Sequence, residues 1–160
     1  MKYSRFEELP VWKAAIELAV QIYQFTSRPV FKSRYSLRDQ IERAAVSVSN
    51  NIAEGFERGT TQELLTFLYI SRGSCGEVRS MLCLLESLRV FDDLKFEISN
   101  LKSRAEGVSR QLRAWADSLQ NSDVRGQRYL TSKIRGKSKE AREREEFLKE
   151  LRSFARREFQ

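Results

Sequence analysis

LKFEISNLKSRAEGVSRQLRAWADSL, residues 94–119, places Leu94, Ile98, Leu101, Ala105, Val108, Leu112, Trp115 and Leu119 at alternating steps of four and three. A helix turns once every ~3.6 residues, so those steps bring all eight side chains to one face. The stripe runs for about seven turns and must be buried against other helices. This is the cleanest amphipathic pattern in the chain, and it points to helix-on-helix packing.

Upstream, Val90-Phe91-Asp92 marks a short turn. The helix before it starts at Thr60-Thr61, with Glu63 spaced for a capping box with Thr60. Leu64, Leu68, Ser71, Cys75, Val78, Leu82 and Leu85 repeat the four-three spacing. Phe67, Ile70, Ser74, Met81, Leu84 and Leu88 form a second stripe beside it. Glu77 falls among that stripe and needs a polar partner if it is buried. Gly73, Ser74, Cys75 and Gly76 are small residues in a row, which predicts a close approach of a neighbouring helix. No strand precedes them and no phosphate-loop lysine follows, so a ligand cradle is the weaker reading.

The next helix back is expected from Leu37 to about Arg58, with Ser36 as N-cap and Asp39 three residues on. Leu37, Ile41, Ala44, Ala45, Val48, Ile52 and Gly55 share its apolar face, and Gln40, Arg43, Ser47, Asn50, Asn51, Glu54 and Arg58 share one flank. The polar flank reads as a structural network. In it Asn51 and Glu54 satisfy backbone groups at the corner, while Gly55 and Gly59 supply close packing or left-handed geometry. It reads alternatively as an RNA or subunit contact using Arg43, Asn50, Asn51 and Arg58.

The first helix is expected near Leu9-Pro10, since proline suits a first turn, and ends at Thr26-Ser27-Arg28-Pro29. Trp12, Ala15, Ile16, Ala19 and Tyr23 line one stripe, and Val11, Ala15, Leu18, Ile22 and Phe25 another. That width implies a broad core or a subunit contact. Four helices with short connections make residues 1–120 an all-α, antiparallel up-and-down four-helix bundle. Residues 121–160 read as a basic linker followed by a short amphipathic helix, with Phe147, Leu148, Leu151, Phe154, Ala155 and Phe159 on its apolar edge.

The 160-residue chain carries 29 Lys+Arg against 22 Asp+Glu, a net charge of +7, and no histidine. Most of the excess lies in the last quarter: residues 1–120 net +2 and residues 121–160 net +5. A basic excess suits an acidic partner such as nucleic acid, and equally a solvated tail. Histidine, the commonest metal ligand and general base, is missing. Glu54, Glu57, Glu63 and Glu77 carry no spacing that requires a metal site. The chain reads as non-catalytic, without metal or cofactor. Cys75 and Cys83 stand eight residues apart on one helix, about 12 Å of rise, too far for a disulfide, and read as reduced core thiols. No membrane-length apolar run and no signal-peptide pattern is present, so a cytoplasmic location is expected.

FEELPVWKAAIELA, YSLRDQIERAAVSVSNNIAEGFERGTTQELLTFLYISRGSCGEVRSML and the fourth helix together resemble the four-helix-bundle proteins encoded in intervening sequences of bacterial large-subunit rRNA genes. The resemblance spans about residues 6–119. Its most specific parts are Gln40-Ile41, Asn51–Gly55, Arg58-Gly59, and RGS with Glu77 after it. Ser36 stands where the family often has Gly, and Glu42 where it often has Arg, which makes the second helix less basic. The resemblance implies a non-catalytic bundle. It also implies kinship with the accessory variability determinant of diversity-generating retroelements, a homopentamer that works with a reverse transcriptase and its RNA. It leaves the chain after about Leu119 uncovered.

An RNA-binding reading then rests on two groups of cations. The first is the connector and second helix: Arg28, Lys32, Arg34, Arg38, Arg43 and Arg58, with Phe31 and Tyr35 to stack on unpaired bases. The second is the tail: Arg125, Arg128, Lys133, Arg135, Lys137 and Lys139. A pentamer would repeat each cation five times. Asn50, Asn51, Glu54, Gly55, Gly73, Ser74, Gly76 and Glu77 are the expected structural or interface residues. The rival reading is a protein-binding scaffold that docks a reverse transcriptase or a neighbouring subunit.

Overall fold

A computed structural model describes residues 3–121 of the chain. The expected tail helix and the cations from Arg125 to Lys139 lie outside the described residues. Four α-helices account for most of the rest: α1 (Pro10–Thr26), α2 (Tyr35–Glu57), α3 (Thr61–Ser87) and α4 (Lys95–Gln120). Short 3-10 turns cover Phe6–Glu8, Pro29–Phe31 and Arg89–Leu94. Each helix packs on its neighbours in sequence, and α1 packs on α4 to close the ring. The bundle is all-α, as the periodicities require.

Pro10 occupies the first turn of α1, where its missing N–H costs nothing. Thr60 caps α3, its hydroxyl oxygen accepting from the Glu63 backbone N–H at 3.2 Å. The Thr60 hydroxyl also donates to the Glu63 carboxylate at 2.7 Å. The N-cap expected at Ser36 is not used. The first turn of α2 already includes Tyr35, the cap position falls to Arg34, and no side chain caps it. What anchors this end instead is Glu42, which accepts from the Thr26 hydroxyl at the end of α1. Glu42 stands where the resembling family often has Arg, and that carboxylate ties α1 to α2.

The core follows the four-three stripes closely. Ile98, Leu101, Ala105, Val108 and Leu112 of α4 are buried, and so are Leu64, Leu68, Ser71, Cys75, Val78, Leu82 and Leu85 of α3. At the end of α4 the burial passes from Trp115 to Ala116. A straight helix drifts about 20° per heptad from a strict seven-residue repeat, which accounts for the shift. The second stripe of α3 is mostly outside the core: Ser74 is buried, but Ile70 and Leu84 are exposed, and Phe67, Met81 and Leu88 are half-buried. Cys75 is buried, and burial pushes its thiol up to about 12. Cys83 is exposed, so only one of the two cysteines is a core thiol; both are free.

Close helix approach occurs at Gly55. A Cβ there would stand 2.6 Å from the Phe67 Cβ. At Gly73 and Gly76 a Cβ would meet nothing within 4 Å, so those glycines do not bring α3 against another helix of the bundle. Left-handed backbone, anticipated for Gly55 or Gly59, is not what they provide: Gly55 lies inside α2, and at Gly59 a Cβ would meet open space.

Gly55→Ala should therefore lower stability by about 1–3 kcal/mol through overpacking. Gly73→Ala should raise it by up to about 1 kcal/mol through helix propensity. Thermal or denaturant unfolding of the two variants measures both. In the native protein an alkylating reagent at pH 8 should modify Cys83 alone. Cys75 should react only after unfolding, as counted by mass spectrometry.

Candidate nucleic-acid interface

Between α2 and α3 the polar flank becomes a seam. Ser71 donates to the Val48 carbonyl at 2.8 Å, and the Ser47 and Ser74 hydroxyls meet at 2.9 Å. Asn51 donates to the Ser47 carbonyl at 2.7 Å and to the Ser47 hydroxyl at 2.9 Å. Asn51 thus acts one turn back along α2 and does not satisfy the corner into α3. Asn50 is exposed. Glu77 is exposed as well and needs no buried partner. Buried polar groups joined in this way fix the register of two helices.

The corner itself is ionic. Arg58 meets Glu54 at 2.6 Å and Glu63 at 3.8 Å, and its guanidinium lies 5.2 Å from the centre of the Phe67 ring. The neighbouring Glu54 carboxylate pushes the Arg58 pKa further up. Arg58 therefore belongs to a structural pairing. It also stands at the far end of α2 from the connector. The 23 residues of that helix put roughly 34 Å between its ends.

At the other end the two long connections meet. Phe25, Phe31 and Phe91 pack in series, the first pair edge to face and the second tilted, with centroids 5.2 and 5.1 Å apart. Phe31 is fully buried in this cluster and cannot stack on a base. Arg34 donates to the Val30 carbonyl at 2.6 Å and faces the Phe91 ring at 6.0 Å. Arg28 pairs with Glu97 of α4 at 2.5 Å. Arg38 lies over the Tyr35 ring at 5.3 Å and 4.0 Å from Glu42. Lys32 is exposed. Arg43 lies two turns along α2 and approaches Asp39 at 3.8 Å.

The structure thus gathers Arg28, Lys32, Arg34 and Arg38 at one end of the bundle and separates Arg58 from them. Sequence reasoning missed two cations of the same end, Arg89 and Lys95, and the exposed ring of Phe96. Arg89 and Lys95 come from the α3–α4 connection, which the linear sequence sets far from Arg28. Lys95 pairs with Asp92 at 2.8 Å, which raises its pKa. Exposed pairs of this kind contribute little to stability and are readily exchanged for another anion. Among the described residues no group of three or more His, Cys, Asp or Glu is placed to hold a metal ion. No described helix is long and apolar enough to cross a membrane.

The model of one protein family, the 23S rRNA-intervening sequence protein, matches residues 7–114. That is most of the chain, and the chain belongs to this family. No curated protein matches it.

Proposed function

We propose that the protein is a non-catalytic, cytoplasmic RNA-binding protein that works as a homo-oligomer, a pentamer by its resemblance. It would contact structured RNA through the cations of its connection end. The observation that carries this reading is the convergence of Arg28, Lys32, Arg34, Arg38, Arg89 and Lys95 at one bundle end. The chain that carries them has a net charge of +7 and belongs to a family named for 23S rRNA intervening sequences. Phosphate contacts require positive charge at a suitable spacing and little else. Assembly would repeat the patch around the oligomer and multiply its field. The tail cations Arg125, Arg128, Lys133, Arg135, Lys137 and Lys139 would add a second set of phosphate contacts.

A second reading has one observation of its own. Ile70 and Leu84 are exposed along the outer face of α3, with Met81 and Leu88 half-buried beside them. Such a stripe suits a protein partner: another subunit, or the reverse transcriptase that the retroelement resemblance implies. The two readings differ in their response to salt. RNA binding through phosphates weakens steeply with salt, and apolar docking does not.

The test is the affinity of the full chain for an RNA hairpin across a salt series. A log–log slope steeper than about −2, reduced by Lys32→Glu with Arg89→Glu, is expected. Charge reversal at Arg135, Lys137 and Lys139 should reduce it further while thermal unfolding of the bundle stays unchanged. An affinity that ignores salt, or that neither set of reversals touches, would leave the protein scaffold as the function.

A further inference from the structure

The α1–α4 face holds a groove that no part of the RNA reading above uses. It measures about 610 Å³, within the ~300–1,000 Å³ range of ligand clefts. Its walls carry the amides of Gln21 and Gln24 from α1 and of Asn100 from α4, with Arg104 at its lower part. Its one acid, Glu97, is engaged by Arg28. Arg104 is exposed and has no acidic partner among the described residues.

Phe96 stands beside the upper rim. It is 81% exposed, the most exposed large apolar side chain described. Phe96, Asn100 and Ser103 follow the i, i+4, i+7 spacing of one helix face, so the ring lies in line with the groove's α4 wall. Among the described residues no ring or cation covers Phe96, whereas the exposed Tyr35 lies under the Arg38 guanidinium. Amides offer both donors and acceptors, which matches the edges of nucleobases. An open aromatic face offers a stacking surface to any base. Arg104 on the groove wall offers a cation to a phosphate. A double helix cannot use this combination, because its bases are stacked on each other and their edges are paired.

We propose that the groove takes an unpaired segment of the RNA. One base stacks on Phe96, the next turns its edge to Gln21, Gln24 or Asn100, and a phosphate rests on Arg104. The inference rests on the RNA-binding reading and names the form of RNA that this reading leaves open: single-stranded nucleotides of a loop or bulge.

The test uses the full chain with two probes: an oligoadenylate of about ten nucleotides carrying one 2-aminopurine, and a perfect RNA duplex of equal length. Phe96→Ala should weaken binding of the single strand about tenfold and abolish the fluorescence quenching caused by stacking. Duplex affinity should stay unchanged, and Phe96→Trp should restore the single-strand affinity. Arg104→Glu should weaken the single strand more than the duplex. If Phe96→Ala leaves the single strand unchanged while Lys32→Glu with Arg89→Glu weakens both probes, the groove proposal fails and the RNA reading stands. If the unaltered chain binds neither probe, both fail together. If Phe96→Ala changes the sedimentation coefficient, Phe96 is a contact between copies of the chain, and the groove proposal is overturned.

Discussion

The approach of α2 to α3 at Gly55 is the constraint on which the rest of the bundle depends. A side chain at that position would enter the space of Phe67, so only hydrogen there lets the two backbones come this close. The closeness lets serine, a short side chain, reach across the gap. Ser71 meets the Val48 carbonyl and Ser74 meets Ser47. A longer separation would leave the buried Ser71 hydroxyl without its partner, at a cost of about 1–3 kcal/mol, while Ser47 and Ser74 would keep only their partners within their own helices. The glycine and the serines are therefore one device: the first sets the distance and the others set the register. With that register fixed, Arg58 falls between Glu54 and Glu63 and closes the corner.

The opposite end is organised by aromatic packing. Phe25, Phe31 and Phe91 come from α1 and from both connections, and burying them draws the two loops together. The loops carry the cations with them. Arg34 covers Phe91, and Arg28 reaches α4 through Glu97. The charges at this end are thus positioned by an apolar cluster beneath them. Truncation of a buried phenylalanine costs about 3–5 kcal/mol, so the scaffold under the cations is stiff. Pairing with Glu97, Glu42 and Asp92 orients the basic groups without removing them from solvent.

The sequence made the helices legible because their stripes are long and their breakers few. It also gave the α3 cap, since a capping box is a local pattern of four residues. What it could not give was the depth of each stripe. Ile70 and Leu84 repeat at the same spacing as core residues, and only the position of α2 and α4 leaves them outside. The same holds for the glycines. Gly55, Gly73 and Gly76 all read as packing glycines, yet the neighbour that makes one of them necessary, Phe67, is contributed by a different helix. The candidate site divides in the same way. Arg28, Lys32, Arg34 and Arg38 were visible because they are close in sequence. Arg89, Lys95 and Phe96 were not, because they join the patch through the fold. Phe31 has the right type for stacking on a base, but its burial depends on Phe91, which the sequence places sixty residues away.

The balance of charge limits how the connection end would hold RNA under the proposed function. Residues 1–120 carry a net of only +2, and three of the six cations of the connection end, Arg28, Arg38 and Lys95, have an acidic neighbour. A single bundle therefore presents a weak long-range field, further screened within about 8 Å at physiological salt. Affinity from charge alone then requires either repetition of the bundle or the added +5 of residues 121–160. Contacts that do not depend on net charge change this balance. A stacked base contributes about 1–3 kcal/mol, comparable with several screened phosphate contacts, and works at any salt concentration. On the proposed RNA-binding reading, a bundle of net charge near +2 with an open phenylalanine beside an amide-lined groove is better suited to selecting unpaired bases than to holding a helix by its backbone.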